Sequence, residues 1–170
     1  MKKYQLVVIP DWLGSANKNG VELGPDALEE TILSNNIKGK LSKSIKIKLP
    51  EHNPKNFNKE IKYLPEIKKM SFDIKEKIIL MKDTPIALIG DDSSLIGILA
   101  GIANKFGDNY GLIYIDAHGD INTPETSPSG KIFGMVMSHL IGIGNKDLIE
   151  VNGGIPSLKK ENIIMIGQGL

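Results

Sequence analysis

Cysteine is absent from the 170 residues. That excludes a disulfide framework, a thiolate nucleophile and a cysteine-ligated zinc site, and it fits a reducing, cytoplasmic setting. Also missing is any apolar run near the about 20 residues that a bilayer-spanning helix needs, so no membrane partner is expected. The opening MKKYQLVVIPDW has a basic start, but its apolar run stops at Pro10 and Asp11. It reads as a first strand, because a secretory signal needs a longer apolar core. Charge of one sign is lacking too: 21 basic residues face 20 acidic ones. A nucleic-acid binder would carry a basic face, so nucleic acid is not an expected partner. The lysines across residues 38–82 alternate with acids, as solvated helix faces do. No repeat, low-complexity tract or linker interrupts the chain, and 170 residues bury a real core, so a single domain over 1–170 is expected.

What is present alternates between two periods. Tyr4–Pro10 reads as a buried strand, and Gly24-Pro25-Asp26 opens a helix with proline and an acid in its first turn. Ile45–Leu49 (IKIKL) alternates and suits a second strand, while Lys59–Lys82 suits one or two helices broken near Pro65. Ile86–Gly90, Gly111–Ile115 and Asn162–Ile166 are three further apolar strands. Helices are expected over Ser94–Phe106 and Gly134–Ile143, and turn chemistry over Asn104–Asn109. Strands alternating with helices predict an α/β fold of three layers, with a parallel sheet of about five strands covered on both faces. Ligands in such sheets bind beyond the carboxyl ends of the strands, where two polar clusters lie.

The first cluster is Asp116, His118 and Asp120 in IDAHGDINTPETSPSG. In an extended backbone these alternating side chains point the same way. Two carboxylates and an imidazole suit manganese, iron or zinc better than calcium. Ordinary strand-end polarity gives the same spacing, so both readings stand. The second cluster, Gly90-Asp91-Asp92-Ser93, is equally a helix N-cap. Four residues have plainer readings: His52 as an exposed loop residue, Trp12 as a cover for the sheet's end, and Met135 and Met137 as core beside His139.

IDAHGDINTPETSPSG resembles the signature of the arginase, agmatinase and formimidoylglutamase (ureohydrolase) family, and lies closest to arginase. LIGDDSSLIG resembles the family's G-G-D-H-S segment, NGVELGP its N-terminal G-V-x-x-G-P element, and ENIIMIG its fifth strand. The motifs run in family order along nearly the whole chain, which corresponds to the family's N-terminal half. The resemblance implies a two-manganese centre whose bridging hydroxide, with its pKa lowered by the metals, attacks the guanidinium carbon of arginine to give ornithine and urea. It assigns Asp116 as the bridge, Asp120 and Asp92 to the first Mn²⁺ and His118 to the second. Asn122 and Ser129 would hold the substrate's carboxylate, and Lys131 would lie near its amino group.

The chain departs from the pattern at sites that matter. Asp92 stands where the family has a metal-binding histidine, Phe133 where it has a proton-shuttling histidine, and Lys131 where it has asparagine. The family's D-x-D motif has no counterpart before Leu170, and Gln168-Gly169 stands where Arg-Asp is usual. The resemblance therefore implies an arginase-like fold with a degenerate metal site, inactive or vestigial alone, and no residue is assigned as catalytic. The alternatives are one half of a ureohydrolase completed by a companion chain or by homo-oligomerisation, and a non-catalytic module binding an amino acid or a partner. The substrate class, if active, is a small guanidino compound such as arginine or agmatine. The family's strand order, 2-1-3-8-7-4-5-6, puts two absent strands between the third and fourth. The expectation is that the sheet closes up as 2-1-3-4-5, because unpaired edges are costly.

Overall fold

A computed structural model describes residues 3–35, 40–107 and 109–169. The central strand β1 (Tyr4–Ile9) is apolar on both faces, and Leu6 to Ile9 are fully buried. It lies between β2 (Leu41–Lys46) and β3 (Thr84–Ile89), parallel to both. A second parallel pair, β4 (Leu112–Ile115) and β5 (Ile163–Ile166), runs in register from Leu112 against Ile163 to Ile115 against Ile166. Around the strands lie α1 (Gly24–Ser34), α2 (Leu64–Leu80), α3 (Leu95–Phe106) and two short helices, α4 (Val136–Leu140) and α5 (Lys146–Ile149). The class is the expected parallel α/β.

The strand order is not the expected one. The described strands form a sheet β2-β1-β3 and a separate pair β4-β5, so β3 and β4 do not join. These are the neighbours that the family order also keeps together. The helix α3 connects β3 to β4 and packs closely on α2.

Smaller departures have local causes. The second strand begins four residues before Ile45, because β1 pairs with it through a register shift between Gln5 and Val7. The alternation in IKIKL still governs burial, with Ile47 buried and bonded through its N–H to the Val8 carbonyl. Pro65 does not break a helix; it sits in the first turn of α2, where its missing N–H costs nothing. The expected helix over Gly134–Ile143 is a 3₁₀ turn, Ile132–Met135, followed by the five-residue α4. The expected turn over Asn104–Asn109 is helical through Phe106 and then turns at Gly107, with φ 64°; Asp108 lies outside the described residues.

Helices α2 and α3 pack closely on each other. Ile67, Met70, Ile74 and Ile78 recur at three- and four-residue spacing on α2 and are completely buried. They meet α3 where it carries Gly97 and Gly101, and a methyl at Gly97 would lie 2.5 Å from the Ser71 carbonyl oxygen. At Gly101 it would lie 2.6 Å from the Ile78 Cβ. Small residues thus let the two helices approach backbone to side chain.

One face of the β4–β5 pair is not covered. Ile113 is 64% exposed, Ile115 76%, Ile164 58% and Ile166 48%. The register sets Ile113 beside Ile164 and Ile115 beside Ile166, so the four make one patch. Parallel sheets ordinarily bury both faces, so this is a departure from the rule. Among the described residues, no helix is long and apolar enough to cross a membrane.

Gly97→Ala should destabilise the chain by about 1–3 kcal/mol, read as a lower urea midpoint. Helix propensity alone predicts the opposite sign, a gain of about 1 kcal/mol, so an unchanged or raised midpoint would show that α3 does not seat this closely.

Candidate metal centre

Strand β3 delivers the first acids. Asp91 caps the turn that follows, its Oδ1 accepting from the Ser93 N–H at 2.9 Å and its Oδ2 from the Ser15 N–H at 2.6 Å. The N-cap role therefore belongs to Asp91. Asp92, the next residue, is free of that duty and turns toward the end of β4. There Asp116 and Asp120 wait, and one carboxylate oxygen from each of Asp92, Asp116 and Asp120 lies within 4.8 Å of the others.

Strand alternation is not what brings Asp116 and Asp120 together. Strand β4 ends at Ile115, and the next residues form a loop in which Asp116 Oδ1 accepts from the His118 N–H at 2.7 Å. Asp120 has φ 48°, in the left-handed region that non-glycine residues seldom enter. That turn buries its carboxylate to 7% exposure, and Tyr114 Oη donates to Asp120 Oδ2 at 2.5 Å. His118 is left outside the cluster. Its ring points outward at 80% side-chain exposure, with Nδ1 3.4 Å from Asp116 Oδ1.

The acids repel one another. Burial first, then the charges of Asp91, Asp120 and Asp116, raise the Asp92 pKa from 3.8 to about 6. Asp120 is also raised, chiefly by burial, although the Tyr114 hydroxyl works against the shift. A divalent cation would remove that repulsion, and three hard carboxylate oxygens are a donor set for Mn²⁺ or Mg²⁺. The residues present therefore fit one such ion, and Asp116 with the adjacent His118 could contribute to a second.

Asp11 has no sequence motif to mark it, yet it is completely buried at the end of β1. Its Oδ1 accepts from the Leu13 N–H at 2.8 Å, and its Oδ2 from the hydroxyls of Ser93 at 2.7 Å and Ser94 at 3.1 Å. Burial and the nearby Asp91 raise its pKa to about 6. A proline-terminated strand followed by an acid was the only signal for it in the sequence.

The expected substrate residues lie on the loop beyond. Asn122 is exposed; its N–H donates to the Gly134 carbonyl at 3.2 Å and its side-chain oxygen accepts from Thr126 at 3.2 Å. Ser129 is exposed, and its hydroxyl oxygen accepts from the Lys131 N–H at 3.3 Å. Lys131 Nζ stands 5.9 Å from the Phe133 ring centre. Gly130, with φ 66°, anchors this loop, since a side chain there would meet the Glu60 carbonyl at 2.0 Å. Phe133 and Asp92 face one small cavity of about 190 Å³, together with Ser15 and Gly90. His139 is buried and neutral, with Nδ1 2.6 Å from the Met135 carbonyl and Nε2 accepting from the Asn145 N–H at 3.0 Å. His52 is exposed, edge-on to Trp12 at 5.1 Å between ring centres.

This fold and these residues have known counterparts. The Arginase family model matches residues 2–168. The chain belongs to the arginase family. It is 37% identical over 174 residues to the arginase of Bacillus subtilis (strain 168), covering 98% of this chain and 57% of that one. With the arginase of Brevibacillus brevis it shares 34% identity over 178 residues, again 98% and 57% of the two chains. Among solved structures, arginase from Bacillus cereus superposes with a TM-score of 0.87 at 32% identity, over 99% of this chain and 58% of that one. Entamoeba histolytica arginase, solved with L-ornithine, superposes with a TM-score of 0.86 at 26% identity, over 100% and 58%. The chain thus spans little more than half the length of the arginases it matches.

Asp92→Asn should stabilise the metal-free chain at pH 8. A raised carboxylate pKa contributes stability below the unfolded value of 3.8 and loses it as pH rises through about 6. At pH 8 the parent therefore bears the full penalty, about 1–2 kcal/mol after allowance for solvent screening, and the variant does not. The difference in thermal midpoint should shrink between pH 6 and pH 4; a constant difference would show that Asp92 is not under this repulsion.

Proposed function

We propose that the chain carries half of an arginase-type metal centre, in which Asp92, Asp116 and Asp120 hold a divalent cation, Mn²⁺ by family, for chemistry on a guanidino compound such as arginine. The convergence of three carboxylate oxygens within 4.8 Å at the strand ends is the observation that supports this reading. A bound Mn²⁺ supplies charge that makes a water nucleophilic near neutral pH. Asp116 lies near both Asp120 and His118 and would be the residue able to serve more than one ion. Asn122, Ser129 and Lys131 lie on the exposed loop beside the acids, where a substrate's carboxylate and amino ends would be received.

Three features favour little or no hydrolysis by these 170 residues alone. Phe133 has no proton to shuttle. Asp92 adds negative charge where family members have a neutral imidazole. Lys131 adds a cation on the substrate-facing loop, where the family has a neutral amide. We infer a degenerate site, vestigial without further ligands.

The unpaired edges of β3 and β4 and the isoleucine face of β4–β5 support a second reading, completion by a companion polypeptide or a second copy. These isoleucines are already partly buried, so covering the rest of each would recover only part of the about 1.5–3 kcal/mol of full burial, before the costs of association. A non-catalytic module that binds an amino acid has less support, since Asn122 and Ser129 are exposed on the loop.

Manganese per chain, urea release from arginine and mass in solution, measured on one preparation, test these readings together. One loosely held Mn²⁺, no urea and a monomer are expected of the degenerate site. Two firmly held ions with urea formation would overturn it, and a stable dimer carrying both would establish completion by a second copy. No detectable Mn²⁺ at millimolar concentrations would remove the metal-centre reading altogether.

A further inference from the structure

We infer that Tyr114 is a positioning residue, which fixes the Asp120 carboxylate for an ion by holding one oxygen and leaving the other free. The inference rests on the metal-centre reading above and extends it to a residue that no motif assigns.

Tyr114 lies on β4 with its side chain on the covered face, 7% exposed, while its neighbours Ile113 and Ile115 point to solvent. Its Oη donates to Asp120 Oδ2, six positions along the chain, at 2.5 Å. Among the described residues, no other side-chain donor to this carboxylate is recorded. Asp120 is held from its backbone side as well, its carbonyl accepting from the Met137 N–H at 2.9 Å. The left-handed φ of 48° is thus clamped between the start of α4 and the phenol.

A carboxylate with one oxygen pinned has lost most of its rotational freedom before an ion arrives. It meets the cation without a further ordering cost, which is how outer hydrogen-bond partners strengthen a metal site. A phenol suits the task because it donates without adding charge; a lysine there would repel the ion.

The test is Mn²⁺ affinity of the full chain, followed by titration calorimetry, for the parent, Tyr114→Phe, Asp120→Asn and the double variant. Phenylalanine keeps the ring in its seat and removes the hydroxyl alone. The expected result is about tenfold weaker Mn²⁺ binding in Tyr114→Phe, and no additional effect of Tyr114→Phe in the Asp120→Asn background. A purely structural tyrosine would lower the thermal midpoint and weaken binding equally in both backgrounds, which overturns the inference. Unchanged affinity in Tyr114→Phe with Mn²⁺ bound to the parent overturns it while leaving the metal centre intact. Failure of the parent to bind Mn²⁺ overturns both. Tyr114→Met, apolar and adaptable in shape, provides the same comparison by a second route should Tyr114→Phe not fold.

Discussion

Asp11 sits fully buried at the end of β1 and gathers the Leu13 N–H with the hydroxyls of Ser93 and Ser94. Asp91 answers from the other side by accepting the Ser15 N–H. Two carboxylates and three serines thereby weld the loop after β1 to the turn after β3, and Asp92 is carried on that weld. The arrangement works against charge repulsion, since Asp91 raises the pKa of both Asp11 and Asp92. Neutral donors, hydroxyls and backbone amides, are what keep the acids in place. A buried carboxylate without such partners would take up a proton or leave the interior.

The same logic recurs at the second half of the site. Tyr114 is to Asp120 what the serines are to Asp11: an uncharged donor that stabilises an anion without satisfying its need for a counter-ion. The acids are thus held close together with their mutual repulsion partly offset by neutral donors.

Much of this was legible in the residue pattern. β1, β3, β4 and β5 are uniformly apolar runs closed by proline, glycine or acids, and each begins and ends within two residues of its expected position. The acids of D-x-H-x-D and of GDDS were visible from spacing, and family resemblance gave them a common purpose. Two features were not legible from the pattern. Alternation stops with the strand at Ile115, so His118 turns outward instead of sharing the direction of Asp116 and Asp120. The closed order 2-1-3-4-5 weighs unpaired edges alone, whereas the described strands keep β3 and β4 in separate sheets. Asp11 and Tyr114 escaped notice because their roles arise from contacts: Asp11 meets Ser93 across 82 positions, and Tyr114 looked like an ordinary strand aromatic.

The four-isoleucine face of β4–β5 also governs how the molecule behaves as a solute. With a formal net charge of +1, there is almost no long-range repulsion to keep copies apart. Salts excluded from protein surfaces, such as sulfate, raise the free energy of exposed hydrocarbon and drive such faces together. The isoleucine ribbon of β4–β5 is therefore one contributor to how readily copies of this chain associate in such salts.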